Sequence, residues 1–468
     1  MKHITKAEQV IAAFNARNRE LAVSLLAKLV EQEASLGKKW SEMAYIASSM
    51  GECTLAVKSG QLLSASNSDD LAIQIQAATI MAQAGQVEKA YEFLKPLLSK
   101  KPNDPVLNHF IGTLQSQLGD MEASLASLRR TLSQWKTSGV CWMTLASIKK
   151  FTKEDADFKA MLAVQTEVQN TAPDNYAAYL YAAGKALADI GDVPQSFKLY
   201  KKAADIMHKL RPFNLESEKA YANTLMKGYV TDAMVQLSKS NVESNIPIFI
   251  VGYPRSGTTL VEQILTSHCD VANGGEINLF RTAAMPMQGF TFAHAQKYED
   301  SFEDKTHAWQ NIADTYLHLL NERFDSNRRI VDKSLNNSRF IGLIRHIFPK
   351  SPIIWMRRTA IDSAWSCYKT FFASSLDWTW SLKDIATSFK IEDELHDHWT
   401  NMYPDVILDV PYEELVRNQE VWIPKILDHC GLSYDKNVYN FHKTKRAVMT
   451  SSVAQVRGPI TTTLIGSS

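Results

Sequence analysis

A 34-residue spacing in the first half of the chain constrains its fold more than any other feature. Gly51, Gly85 and Gly119 stand 34 residues apart, and so do Ala22, Ala56, Ala90 and Ser124. Gly191 with Ser196 repeats the glycine and small-residue pair after a longer interval. Around each glycine an apolar helix pattern comes first and a second amphipathic helix follows, as in Ala77-Ala78-x-x-Met81-Ala82-x-x-Gly85 and then Ala90-Tyr91-x-x-Leu94. Pro102 and Pro105 close one unit, because a proline ring stops a helix. A helical hairpin this short buries its apolar face only against the next copy, so the period calls for a stacked array. The copy over 139–172 is degenerate, with Lys153 in the place of the turn glycine.

A helix–turn–helix period of this length, with small residues at the close crossing, resembles the tetratricopeptide repeat, in roughly five or six units. The expected architecture over 1–211 is an α-solenoid. Its concave surface is read equally well as a seat for a protein partner or as a scaffold. Residues 212–245 are a helical linker, with a helix over about 219–237 between polar stretches.

From 246 to 468 the pattern changes to α/β. Short apolar runs at 248–252, 329–331, 352–356 and 405–410 alternate with helical stretches, which predicts a mainly parallel sheet with ligands at the carboxyl ends of its strands. The first run enters a loop with Gly252, Pro254 and Gly257, then Thr258-Thr259 and a helix patterned by Leu260, Ile264 and Leu265. Strand, glycine-bearing loop and helix start together make an anion site, since unpaired amides and the helix dipole face outward there. The spacing is P-loop-like, G-x-x-x-x-G-K-[ST], with Thr258 where the lysine would stand. The cation has moved into the loop as Arg255, and Ser256, Thr258 and Thr259 supply hydroxyls. That set suits a tetrahedral anion held without a metal. An ordinary strand-to-helix turn is the weaker reading.

The run Pro254-Arg255-Ser256-Gly257-Thr258-Thr259-Leu260 resembles the 5′-phosphosulfate loop of sulfotransferases that use 3′-phosphoadenosine 5′-phosphosulfate (PAPS), and most closely the branch of tyrosylprotein and repeat-fused bacterial sulfotransferases. Further motifs carry the resemblance across 246–460. It implies PAPS as co-substrate, bound through Arg255, Ser256, Gly257, Thr258, Thr259 and Leu260. Glu276 in Gly274-Gly275-Glu276 becomes the general base, and Lys333 neutralises charge on the leaving phosphate, with Arg255 assisting. Around Lys333 the family pattern Asp-Lys-x-Pro-x-Asn is met at Asp332 and Asn337, with Leu335 in place of the proline. Arg358 and Ser366, eight residues apart, become the clamp on the 3′-phosphate, with Asp362 as an accompanying acid; a register one residue earlier would use Arg357. Thr359, Ala360 and Ile361 replace the family's usual residues between them. Tyr412, in Pro411-Tyr412-Glu413-Glu414-Leu415, is implied as a nucleotide contact. Ser452 and Arg457, in a segment matching Ser-x-x-Gln-Val-Arg-x-Pro, are implied to close over the cofactor.

The resemblance implies sulfonate transfer to an acceptor hydroxyl. A tyrosine of a peptide or protein, a glycan and a small hydroxylated molecule all fit. The alternative is a non-catalytic solenoid adaptor with a degenerate nucleotide-binding domain. A magnesium-dependent nucleoside triphosphatase is disfavoured by Thr258.

Composition narrows the partners. With 22% charged residues and a formal net charge of +1, the chain is not built to coat nucleic acid. The five cysteines are odd in number and scattered, which reads as buried free thiols in a reducing, cytoplasmic setting. Charges run through residues 1–20, unlike a signal peptide, and no run of 18 apolar residues predicts a membrane span. No carboxylate pair or His/Cys cluster has metal-ligand spacing, and His396 and His398 read as solvated.

Overall fold

The computed structural model describes residues 2–324, 326, 328–372, 376–443 and 466. The first half is a run of helical hairpins, among them Trp40–Ser49 with Cys53–Ala65, Leu71–Gln83 with Val87–Lys100, Pro105–Leu118 with Met121–Gln134, and Pro173–Asp189 with Val193–Leu210. Each hairpin turns through a left-handed glycine, with φ of 76° at Gly51, 85° at Gly85, 93° at Gly119 and 88° at Gly191. Only glycine adopts that conformation without strain, which explains the period. The small-residue position is equally physical. Ser124 Oγ donates to the Gly112 carbonyl at 2.6 Å and Ser196 Oγ to that of Gly184 at 2.7 Å, so the paired helices cross too closely for a larger side chain. Pro105 departs from expectation: it opens a helix rather than closing one. Asp104 caps that helix by accepting from the Leu107 amide, and the helix before it already ends at Lys100. In the degenerate unit, without a turn glycine, the chain unwinds after Ile148, and Lys149 bridges Asp155 and Asp157 at 2.6 Å each.

The linker helix is also corrected. It runs Leu215–Gly228, capped by Asn214, and a separate short turn covers Thr231–Met234. The break falls where Gly228 lies against Phe292; a Cβ at Gly228 would sit 2.9 Å from the Phe292 Cβ.

The second half holds one sheet: β1 (Pro247–Gly252), β2 (Val271–Gly275), β3 (Arg329–Asp332), β4 (Ile353–Arg357) and β5 (Ile407–Pro411). Every pairing is parallel, in the order β2-β3-β1-β4-β5. The expected strands are present within a residue or two, and β2 is an addition. Its Gly274-Gly275 end carries no apolar run in sequence, and Gly274 presses so close to Val331 that a Cβ would stand 2.7 Å from the valine Cβ. The sheet is buried on both faces. Phe249, Val251, Ile353 and Trp355 face a core built with the helix Lys305–Phe324, while Ile248, Ile250, Ile354, Met356 and Val410 face the helices Thr258–Leu265 and Gln419–His429. Among the described residues no helix is long and apolar enough to cross a membrane.

The repeats and the sheet are welded together. Tyr181, Tyr200 and Ala203 share one apolar cluster with Tyr253, Cys367, Tyr368, Trp380 and Phe389. Within it the Tyr181 ring centroid lies 5.5 Å from that of Phe371 and 5.8 Å from that of Trp380, and Tyr200 meets Trp365 edge-on at 5.9 Å. Nearer the N-terminus, Gly51 packs on Leu279 and Leu319, Arg323 donates to the Gln83 carbonyl at 2.9 Å, and Glu52 bonds both Arg19 and His318.

Candidate active site

The loop after β1 is shaped by sequence in atomic detail. Gly252 has φ 137°, and a Cβ there would stand 2.5 Å from the Met356 carbonyl oxygen. Gly257, at φ 103°, precedes the helix Thr258–Leu265; a Cβ on it would meet the Tyr412 ring at 2.5 Å. Arg255 between them is left-handed at φ 68°, a strained choice for a side-chain-bearing residue. Ser256 Oγ donates to the Tyr253 carbonyl at 2.7 Å, so this hydroxyl braces the loop itself. Thr258 and Thr259 lie buried at the helix start, and Leu260 packs into the adjoining core.

Residues far apart in sequence close on this loop. Arg255 Nε donates to Ser366 Oγ at 2.9 Å, and Arg358 Nη1 donates to the Arg255 carbonyl at 3.2 Å. The Arg358 guanidinium lies 4.5 Å over the Tyr412 ring and 3.6 Å from Asp362. Arg357 instead pairs with Asp393 at 3.6 Å, so the later register is the one that reaches the loop. Burial pulls the Arg255 guanidinium below its usual range, and the Arg358 charge acts in the same direction. Lys369, which no motif marks, belongs to the same neighbourhood: burial, then the charges of Arg255 and Arg358, lower its pKa. Arginines and a lysine crowded round one loop, with Asp362 beside Arg358, make a place that favours an anion.

Next to it lies a carboxylate–ammonium pair. β2 and β3 run parallel with Gly275 opposite Asp332, so the residues that follow, Glu276 and Lys333, leave the same sheet edge side by side. Lys333 Nζ donates to Glu276 Oε1 at 2.7 Å. The lysine side chain is 0% exposed and that of the glutamate 46%. Glu276 also acts on Arg255, opposing the effect of Arg358 on that guanidinium. Asp332 beneath them accepts from Tyr316 Oη at 2.8 Å and from the Ser334 amide at 3.0 Å, and burial raises its pKa above the ordinary carboxylate range.

Residues 247–436 match the Sulfotransferase family model. A protein of Aquifex aeolicus (strain VF5) is 28% identical over 280 residues, covering 58% of this chain and 37% of that protein's length. A putative protein-tyrosine sulfotransferase of Caenorhabditis briggsae is 25% identical over 215 residues, covering 42% of this chain and 69% of the relative. Among solved structures, the sulfotransferase domain of the Synechococcus PCC 7002 olefin synthase aligns with 21% identity and a TM-score of 0.37, over 50% of this chain and 90% of its own. Sulfotransferase STF1 of Mycobacterium tuberculosis H37Rv aligns with 14% identity and a TM-score of 0.30, over 66% of this chain and all of its own.

The sulfotransferase domain thus follows a helical repeat region. Within it Arg255, Gly257, Arg358, Ser366 and Tyr412 form one cluster, and Glu276 and Lys333 form the pair beside it. Ser452 and Arg457 lie outside the described residues. Gly466, further on, donates its amide to Asp362 at 2.9 Å. Other expectations are corrected. His396 is buried, its Nε2 2.8 Å from Asp409 Oδ1, and His398 Nε2 lies 2.8 Å from the Tyr229 carbonyl oxygen. Both ride on the helix Leu382–Met402, which packs against the sheet and the linker helix instead of standing in solvent. Cys269 is exposed while the other cysteines are buried, because it sits in a surface turn where its amide donates to Asp435. Two groups of ligand-type side chains lie close together: His268, Cys269 and Asp270, consecutive in sequence, and Glu52, His318 and Glu322, which folding brings together from distant stretches. In the second, Arg19 shares the Glu52 carboxylate.

Proposed function

We propose that the chain transfers a sulfonate group from PAPS to an acceptor hydroxyl, with Glu276 as general base. The observation that carries this reading is the convergence of Arg255, Arg358 and Ser366 on the glycine-bearing loop, beside the Glu276–Lys333 pair. A nucleotide carrying phosphates at both ends of a ribose needs such paired anion seats. Arg358 and Ser366 suit the 3′-phosphate, with a guanidinium fork and a neutral hydroxyl donor. The loop amides, Thr258 and Thr259 suit the 5′-phosphosulfate at the helix start. Ser452 and Arg457 are assigned, on the sequence motif, to closing over the nucleotide.

In the reaction Glu276 takes the acceptor O–H proton, the oxygen attacks sulfur, and the S–O bond to the 5′-phosphate breaks. Adenosine 3′,5′-bisphosphate leaves with the electron pair. Lys333 and Arg255 stabilise the charge that grows on the leaving phosphate. The exposure of Glu276 beside the buried lysine suits a group that must meet an incoming substrate. We assign the acceptor to the hydroxyls of a peptide or protein, tyrosine first, in line with the name of the Caenorhabditis relative. The test is transfer of labelled sulfonate from PAPS to a tyrosine-peptide panel, with glycan and phenol acceptors alongside, and calorimetric binding of adenosine 3′,5′-bisphosphate. Saturable binding and label on an acceptor are expected. No binding of the bisphosphate by the pure protein overturns the proposal.

A further inference from the structure

We infer that Glu262 is a positioning residue of the same site: it holds the Lys333 ammonium in place while Glu276 takes up the proton of the acceptor hydroxyl. The inference rests on the roles proposed for Lys333 and Glu276. Glu262 lies on the helix Thr258–Leu265, among the buried Val261, Gln263, Ile264 and Leu265. Its side chain is 5% exposed, and Oε2 stands 3.6 Å from Lys333 Nζ. The ammonium therefore lies between two carboxylates, Glu276 at the cleft and Glu262 in the interior. Asp332, its neighbour in the chain, already accepts from Tyr316 and Ser334.

Charge balance gives the inner carboxylate its work. A buried ammonium needs a counter-charge, and losing its sole partner would leave an uncompensated charge in the interior. Glu276 stops being that partner when it is protonated by the acceptor. With Glu276 alone, Lys333 would be left as an uncompensated buried cation once the base is protonated, and would be driven out of place toward water, which spoils the stabilisation of the leaving phosphate. Glu262 makes the interior pair neutral whatever the state of Glu276. The base is then free to meet the acceptor, and Nζ stays where the leaving group needs it.

A double-mutant cycle tests this with the full chain. Glu262→Gln is expected to lower kcat for transfer from PAPS by roughly tenfold to a hundredfold, as when partners orienting a metal ligand are removed. KM for PAPS and the affinity for adenosine 3′,5′-bisphosphate should stay within about twofold of wild type. Glu262→Asp should recover part of the lost kcat. In a Lys333→Met background, Glu262→Gln should lower kcat no further, since its effect runs through the lysine. A full, additive loss in that background overturns the inference, and so does an unchanged kcat in Glu262→Gln. Independently of turnover, a crystal structure of Glu276→Gln should keep Lys333 Nζ in salt-bridge reach of Glu262. A lysine turned away from Glu262 there refutes the positioning role even if transfer is fully active. Absence of sulfonate transfer in wild type instead refutes the proposed function and leaves the crystallographic arm to decide on Glu262.

Discussion

Lys333 and Glu276 pair at 2.7 Å because parallel strands in register deliver them to one edge, so replacing either changes charge without moving backbone. Glu276→Ala is expected to lower turnover by roughly 100-fold or more while bisphosphate affinity is kept, measured by initial rates and calorimetry. Arg358→Lys is expected to weaken bisphosphate binding by about 1.5–3 kcal/mol, since a lysine cannot rebuild the charge-assisted fork. The acceptor-side pH limb should stay in place if Arg358 serves only the nucleotide. At this scale the sequence was informative: Arg255, Gly257, Glu276, Lys333, Arg358 and Ser366 each stand in a short motif whose chemistry is local. Glu262 and Lys369 were not legible. Each is one charged residue on a helix, and only the folded path of the chain puts it beside a cation.

Gly257 shows how an element depends on one atom. Its φ of 103° and the Tyr412 ring where a Cβ would go leave no room for alanine. Gly257→Ala should cost about 1–3 kcal/mol in denaturant unfolding, from backbone strain, and should abolish bisphosphate binding because the loop must reshape. Sequence pattern found β1, β3, β4 and β5 from their apolar runs, but not β2. A strand ending in two glycines has no side-chain alternation to read, and its need for glycine comes from Val331 on the neighbouring strand. The linker helix was misplaced for a similar reason: it ends at Gly228, which lies against Phe292, far along the chain. His396 looked solvated because the helix that carries it is polar in sequence, and only the sheet beneath reveals its buried side.

The repeats and the sulfotransferase domain meet over an apolar seam and a set of polar contacts, and each predicts a measurable behaviour. His318, on the helix Lys305–Phe324, bonds Glu52 of the repeats at 3.2 Å, and that carboxylate raises the histidine pKa. A histidine that titrates higher when folded stabilises the fold below the ordinary histidine range, and that contribution fades as pH rises through the raised value. The Tm difference between wild type and His318→Gln should therefore be largest at about pH 6 and small at about pH 8. An equal difference at both would contradict the pair. Residues 246–468 produced alone would expose Tyr253, Cys367, Tyr368, Trp380 and Phe389 to water. Aggregation or binding of a hydrophobic dye is expected, whereas a soluble, compact monomer would show the seam to be dispensable. The solenoid and the α/β half were each legible from periodicity. Their fusion was not, because Tyr181 and Tyr200 look in sequence like ordinary core positions of a helical hairpin.

That shared seam limits how a protein of this kind can change. Where an arm hangs on a tether, it can be lengthened, exchanged or lost while the chemistry continues. Here Tyr200 rests on Trp365, the immediate neighbour of Ser366, so a repacked hairpin would be felt one residue from the proposed nucleotide clamp. Altering the hairpin that carries Tyr200 would thus mean altering, in the same step, the wall against which Ser366 and its neighbours are set.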